Sequence, residues 1–373
     1  MIVRNRWRWL AAVTLLPVLA CAKKEPTPLI VLDQPEATLA QPVQQVSNVV
    51  ELRDGRIAFA DLKQKLFALA DLGSGNVTPV GQQADTIRPG DPGRYKLPGY
   101  VVLLSGDTLG LVDFATERTT LWDDQGHYAG VLGPVSVGGH NLAVAVDARG
   151  DAYKEDVRSV LGGLEPGSNL KLDSLNVLRI PRGDSVADTV ARLKLPEWGR
   201  GQFGEQVKIV STIFSGRDVF GVLPDGTMWI ARASNNAVDW LDPDGKWLRG
   251  RARPFTRVPV KKEEKDAFLD RIRQQMARMG APAGVELSYP FATEKPPFSM
   301  GLTNPAGQAW LQRSREFSDS VPVWDVVGRD GREIRTVQLP RGASLAGFGG
   351  DGRVYVLLRD SDGSETIARY TVR

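Results

Sequence analysis

The feature that most restricts this fold is a turn glycine followed by a short apolar strand, repeated six times, at Gly55, Gly106, Gly150, Gly226, Gly307 and Gly352. The strands after these turns read RIAFAD, TLGLVD, DAY, TMWIAR, QAWLQR and RVYVLL. Each turn is preceded by another apolar run: SNVVEL, GYVVLL, NLAVAV, DVFGVL, SMGLT and SLAGF. A second polar turn follows the third strand in five copies, at Gly73, Gly126, Gly183, Gly245 and Gly331. Alternating apolar runs bounded by Gly and Asp read as strands, and recurrence over tens of residues means stacked units that cannot bury their faces alone. The expected fold is all-β, a six-bladed β-propeller of four-stranded antiparallel blades over residues 29–373.

The sixth copy ends at Arg373 after three strands, so its fourth must come from elsewhere. LIVLD, residues 29–33, has no partner of its own and is expected to close the ring as an N-terminal strand beside the last one, which removes an exposed edge. Successive turn glycines are 51, 44, 76, 81 and 45 residues apart, so the two long intervals hold insertions. The first comprises about 154–172 and 196–204, glycine-rich and loop-like. The second, about 256–284 between blades four and five, contains Phe268, Leu269, Ile272, Met276 and Met279 on one helical stripe, with Gly280 as a stop. This helix packs against a face of the ring or acts as a lid on its channel.

The N-terminus gives an address. Arg4, Arg6 and Arg8 precede the apolar run 10–20, which as a helix would be roughly 16 Å long against about 30 Å for a bilayer core. Residues 1–20 therefore read as a secretory signal peptide. Cys21 is the one cysteine of the chain, and Val18-Leu19-Ala20-Cys21 resembles a bacterial lipobox, which implies cleavage before Cys21 and its lipidation, with diacylglycerol and an acyl chain such as palmitate. Residues 21–28 form a short polar tether. Without Asp after Cys21, the expected location is the cell envelope, at the outer membrane of a didermic host. Removing the signal takes three of 47 basic residues away and leaves 44 against 44 acidic ones, so the alkaline pI does not indicate nucleic acid. An acylated Cys21 also leaves no thiol for catalysis or a disulfide.

Chemistry is sparse. The two histidines, His127 and His140, exclude a His-rich zinc site, and no G-x-S-x-G elbow accompanies either. His140 lies near a strand start and is a weak binding candidate. GFGGDG, 347–352, matches a dinucleotide motif in letters, but a strand follows where a helix is required, so a hairpin is expected. Asp239, Asp242 and Asp244 lack calcium-loop spacing and its glutamate. The tryptophans of the strands read as packing between blades. Lys295 and Arg313, charged residues at strand edges, are the remaining candidates for ligand contact.

The stretches GDPGRYKLPGYVVLLSGDTLGLVDFATERTTLWDDQGHY, WLDPDGKW and EKPPFSMGLTNPAGQAWLQR resemble bacterial six-bladed propeller lipoproteins of the NHL and TolB-like group. Relatives carry Gly-Pro-Gly-Glu where this chain has Asp91-Pro92-Gly93-Arg94, a reversal of charge. That group is mostly without assigned function, and the expectation for this chain is a monomeric, membrane-anchored module that binds an unknown ligand or envelope protein, with no catalytic residues, metal or cofactor assigned. The alternative is a metal-dependent hydrolase or lactonase, with carboxylates such as Asp61 and Asp113 converging on calcium at the channel mouth as in lactonase-type propellers. A scaffold that docks an envelope complex through blade edges is a third reading.

Overall fold

The computed structural model describes residues 27–88, 91–132, 145–157, 173–184, 186–280 and 284–372. Cys21 and His140 lie outside them. Six antiparallel sheets of blade type follow one another along the chain. Sheet I has strands Val46–Glu51, Ile57–Asp61, Leu66–Ala70 and Val77–Pro79. Sheet II has Pro98–Leu103, Leu109–Asp113, Arg118–Trp122 and Tyr128–Leu132. Sheet III has Ala145–Val146, Ala152–Glu155, Ser174–Ile180 and Asp188–Lys194. Sheet IV has Val219–Val222, Met228–Arg232, Ala237–Leu241 and Trp247–Leu248. Sheet V has Phe298–Asn304, Gln308–Arg313, Val323–Val327 and Glu333–Gln338. Sheet VI has Ser344–Phe348, Arg353–Arg359 and Glu365–Thr371 from the C-terminal end. The molecule is a β-propeller.

The repeated strands are second strands of these sheets, covered by a neighbouring sheet on each face. That is why Ile57–Asp61 and Leu109–Asp113 are buried at every position instead of alternating. Each pair of consecutive sheets shares one apolar cluster: I and II, II and III, III and IV, IV and V, V and VI. The sixth cluster joins VI to I through Val49, Phe59, Tyr355 and Ile367, so the ring is closed. Trp122, Trp229, Trp240, Trp310 and Trp324 are fully buried, as expected of wedges between sheets. Burying roughly 200 Å² of such a ring at about 25 cal/mol per Å² is worth about 5 kcal/mol before entropy.

Closure differs from the expectation. The fourth strand of sheet VI is β2, Ala37–Thr38, antiparallel to Glu365–Thr371. LIVLD contributes β1, Leu29–Val31, which runs parallel to Glu333–Gln338 as a fifth strand of sheet V. Packing explains the exchange: Leu32 is buried between sheets V and VI, with Ile30 against the same cluster, so the run acts as a wedge at that seam. The chain reaches the edge of VI only afterwards, where Leu39 and Val43 are buried. Two small residues in β2 carry too little pattern to be read as a strand.

The insertions also differ in part. Residues 196–204 are not a loop; Trp198–Phe203 and Gln206–Ser211 form a hairpin. Its glycines permit close approach, since a side chain at Gly199 would begin 2.8 Å from Pro290. The helix is present as α1, Lys262–Arg278. Met279 does not share its packed stripe, being 78% exposed. Among the described residues no helix is long and apolar enough to cross a membrane.

Candidate functional site

The two insertions meet and build one cap. Gln202 and Phe203 of the hairpin pair with Ser288 and Leu287, which follow α1 in the chain. Ile213 bridges Phe291 in parallel, with Ile213 donating to the Pro290 carbonyl and accepting from Ala292 N–H. Edge-to-face rings run through the cap: Phe203 on Tyr289 at 5.1 Å, Tyr289 on Phe268 at 5.3 Å, Phe268 on Phe291 at 5.7 Å and Phe268 on Phe214 at 6.3 Å. Such pairs are worth about 0.5–1.5 kcal/mol each beyond area. The one buried residue of α1 is charged: Glu264 lies 2.6 Å from Lys295, both nearly inaccessible.

A cleft of about 390 Å³ opens at the foot of the cap, between sheets IV and V. Its walls are the chain entering the first strand of IV (Phe214, Arg217, Val219), the chain entering the first strand of V (Lys295, Pro296, Phe298) and the end of the second strand of V (Arg313, Arg315). The structure thus brings Lys295 and Arg313 into one cleft. Lys295 also donates to the Arg315 carbonyl at 2.7 Å and stands over the Phe214 ring. Arg313 pairs with Asp325 at 2.6 Å and reaches the Thr336 hydroxyl at 3.2 Å. Burial pushes the Asp325 carboxyl above its ordinary range even with Arg313 beside it. Arg217 is held by Glu155 of sheet III.

Phe214, Arg217 and Arg315 were not singled out in the sequence. The available signal was positional: Arg217 and Lys295 both stand just before an inner strand, and Arg315 is two residues past Arg313. Phe214 has no such signal. It sits at φ 63°, a left-handed conformation that costs a bulky L-residue roughly 1–2 kcal/mol, and the aromatic cap holds it there.

The carboxylates considered for calcium are occupied by backbone. Asp61 accepts from the N–H groups of Gln44, Gln45, Lys63 and Gln64, and Asp113 from those of Lys96, Leu97, Ala115 and Thr116. They clamp the chain entering a blade to the turn that leaves its second strand and do not converge. Among the described residues no group of three or more His, Cys, Asp or Glu is placed to hold a metal ion. Asp239 takes Arg232 at 2.9 Å, Arg249 at 2.8 Å and the Gly250 N–H at 3.0 Å. DPDG is a hairpin turn, with Gly245 donating to Asp242. His127 is exposed and bonds Asp123.

GFGGDG is the hairpin joining the first two strands of sheet VI. A Cβ at Gly347 would fall 1.9 Å from the Val49 carbonyl, so the run lets sheet VI close on sheet I. The turn amide that could cradle a phosphate is used internally, because Gly350 N–H donates to Glu51. Glu51 also takes Arg353 at 2.9 Å and the Tyr355 hydroxyl.

Fold and site together define a β-propeller with a capped, cation-lined cleft. No family model matches the sequence, and no curated protein is significantly similar to it. Solved structures are similar over nearly the whole chain. A gluconolactonase from Xanthomonas campestris has 11% identity over 92% of this chain and 95% of its own, with a TM-score of 0.43. Regucalcin from Agrobacterium tumefaciens, a calcium-binding protein, has 12% identity, the same coverages and a TM-score of 0.41. A member of the duf4221 family from Bacteroides vulgatus has 7% identity over 91% and 95%, with a TM-score of 0.43. These likenesses assign no role to a residue of the cleft.

Proposed function

We propose that this protein is an extracytoplasmic binding module, anchored by lipid on Cys21, which holds a small-molecule ligand in the cleft between sheets IV and V. The observation that carries the reading is the cap. Two insertions, separated in sequence by sheet IV, pair with each other, and their aromatic cluster holds Phe214 in a strained conformation at the wall of one cleft. A ring sealed by its own apolar clusters needs no such addition for closure. The volume is that of a ligand pocket of ordinary size.

Thermal melting of the full chain in detergent, with a panel of sugars, lactones, peptides, divalent cations and EDTA, tests the reading. A ligand at 100 times its dissociation constant adds about 2.7 kcal/mol. The effect should vanish when Phe298→Ala alters the cleft floor, and persist when His127→Ala alters the exposed turn. Stabilisation by a divalent cation that EDTA reverses would favour the hydrolase alternative. The anchor is tested separately: Cys21→Ser should release the protein from membranes, and unchanged fractionation would end that part of the proposal.

A further inference from the structure

We propose that the ligand is a small organic anion with an apolar body, and that Arg315 grips its acidic group; this rests on the cleft being the ligand site. Among the described residues, the cleft wall carries four cationic side chains, Arg217, Lys295, Arg313 and Arg315, and no carboxylate. Three of them are fixed from behind by acids outside the lining: Glu155, Glu264 and Asp325. Such pairs set position and leave these cations little unmet demand for a further anion.

Arg315 differs. Among the described residues its side chain meets no ion-pair or hydrogen-bond partner, and its Nη1 is buried without an acceptor. A guanidinium stays protonated at any ordinary pH, and a buried donor left unpaired costs about 1–3 kcal/mol, more when charged. An oxyanion recovers that cost with charge-assisted bonds, and the planar fork fits a carboxylate or phosphate in bidentate fashion. The field of the neighbouring cations favours the same sign, because cations lining a low-dielectric cleft focus it inward. The same lining also carries apolar surface, from Phe214, Val219, Pro296 and Phe298. A bare inorganic ion would leave that surface unused, so the occupant carries a hydrocarbon or aromatic part beside its acid.

Titration calorimetry of the full chain in detergent with phenylacetate, phenyl phosphate and glucuronate, against the neutral isostere phenylacetamide, tests this. Expected is binding of at least one anion, at least tenfold weaker binding of its neutral counterpart, and weaker anion binding at higher salt. Arg315→Met should lower anion affinity tenfold or more, with Arg315→Lys between it and the parent; Arg335→Met, on a different groove, should change nothing. Unchanged melting of R315M shows that the loss is local. Equal affinity for anion and amide, or full affinity in R315M, overturns the assignment while leaving the cleft as a ligand site. If no anion binds, the assignment falls; if, in addition, no neutral compound binds in a manner sensitive to Phe298→Ala, the binding reading falls with it.

Discussion

Asp61 and Asp113 make the same four hydrogen bonds at the same four sequence offsets, from residues 17 and 16 positions earlier and 2 and 3 positions later. Both are fully buried at the end of the second strand of their sheets. In sheets IV, V and VI that strand ends in Arg232, Arg313 and Arg359, each paired with an acid on the third strand: Asp239, Asp325 and Glu365. One corner of the blade is thus stabilised either by an acid that takes backbone N–H groups or by a cation that takes an acid.

Removing the clamp should cost stability without touching binding. Asp61→Asn or Asp113→Asn keeps the shape, but sets an amide N–H₂ against backbone donors, and each should destabilise by about 2–4 kcal/mol in denaturant titration. Equal stability of the variants would show that water substitutes for the carboxylate.

Lys295 and Glu264 join cap to ring. Lys295→Met strands a buried carboxylate and should cost about 3–5 kcal/mol, whereas the double change with Glu264→Met should recover most of it. Hydrogen exchange over residues 262–278 should rise in the single variant and return in the double. Additive losses would mean that the pair does not hold the helix.

The strain at Phe214 is separable from its packing. Phe214→Ala loses the ring and keeps the strained backbone, while Phe214→Gly loses the ring and relieves it. The glycine variant should therefore be the more stable of the two by about 1 kcal/mol. The reverse order would place the cost elsewhere.

Asp239 gives the pH dependence a sign. Burial pushes its carboxyl up, but Arg232, the Gly250 N–H and Arg249 outweigh this and hold it below the unfolded value of 3.8. Its contribution is therefore complete above that value and is lost as pH falls through the folded one. Asp239→Asn should be less stable than the parent by about 3 kcal/mol at neutral pH, and the gap should close in acid as the pH falls below the unfolded value and through the folded one. A gap constant with pH would assign the loss to shape, not charge.

The ring was legible because its signal repeats. Each second strand is buried on both faces and each turn has its glycine, so an error at one copy is corrected by the others. The cap was only half legible. α1 announced itself by a stripe at helical spacing, but 198–203 read as a loop because Gly199 and Gly201 serve contacts with residues distant in sequence. Lys295 and Arg313 were found by position at strand edges, although nothing local revealed that they meet, since the cleft joins segments some 80 residues apart. Arg315 was missed because an unpaired charge is a property of its surroundings, not of its letter.

The parallel pairing of β1 has a mechanical consequence. Fourth strands end at the face where the cleft opens, so a strand parallel to Glu333–Gln338 enters from the opposite face. With Cys21 lipidated, the seven residues 22–28 span at most about 25 Å, and the propeller would stand close to the bilayer with its cleft turned outward. Tension on the tether would load β1 in shear along its length, with β2 shielded behind it. The strand that seals the ring would bear force only after the one nearest the membrane had given way.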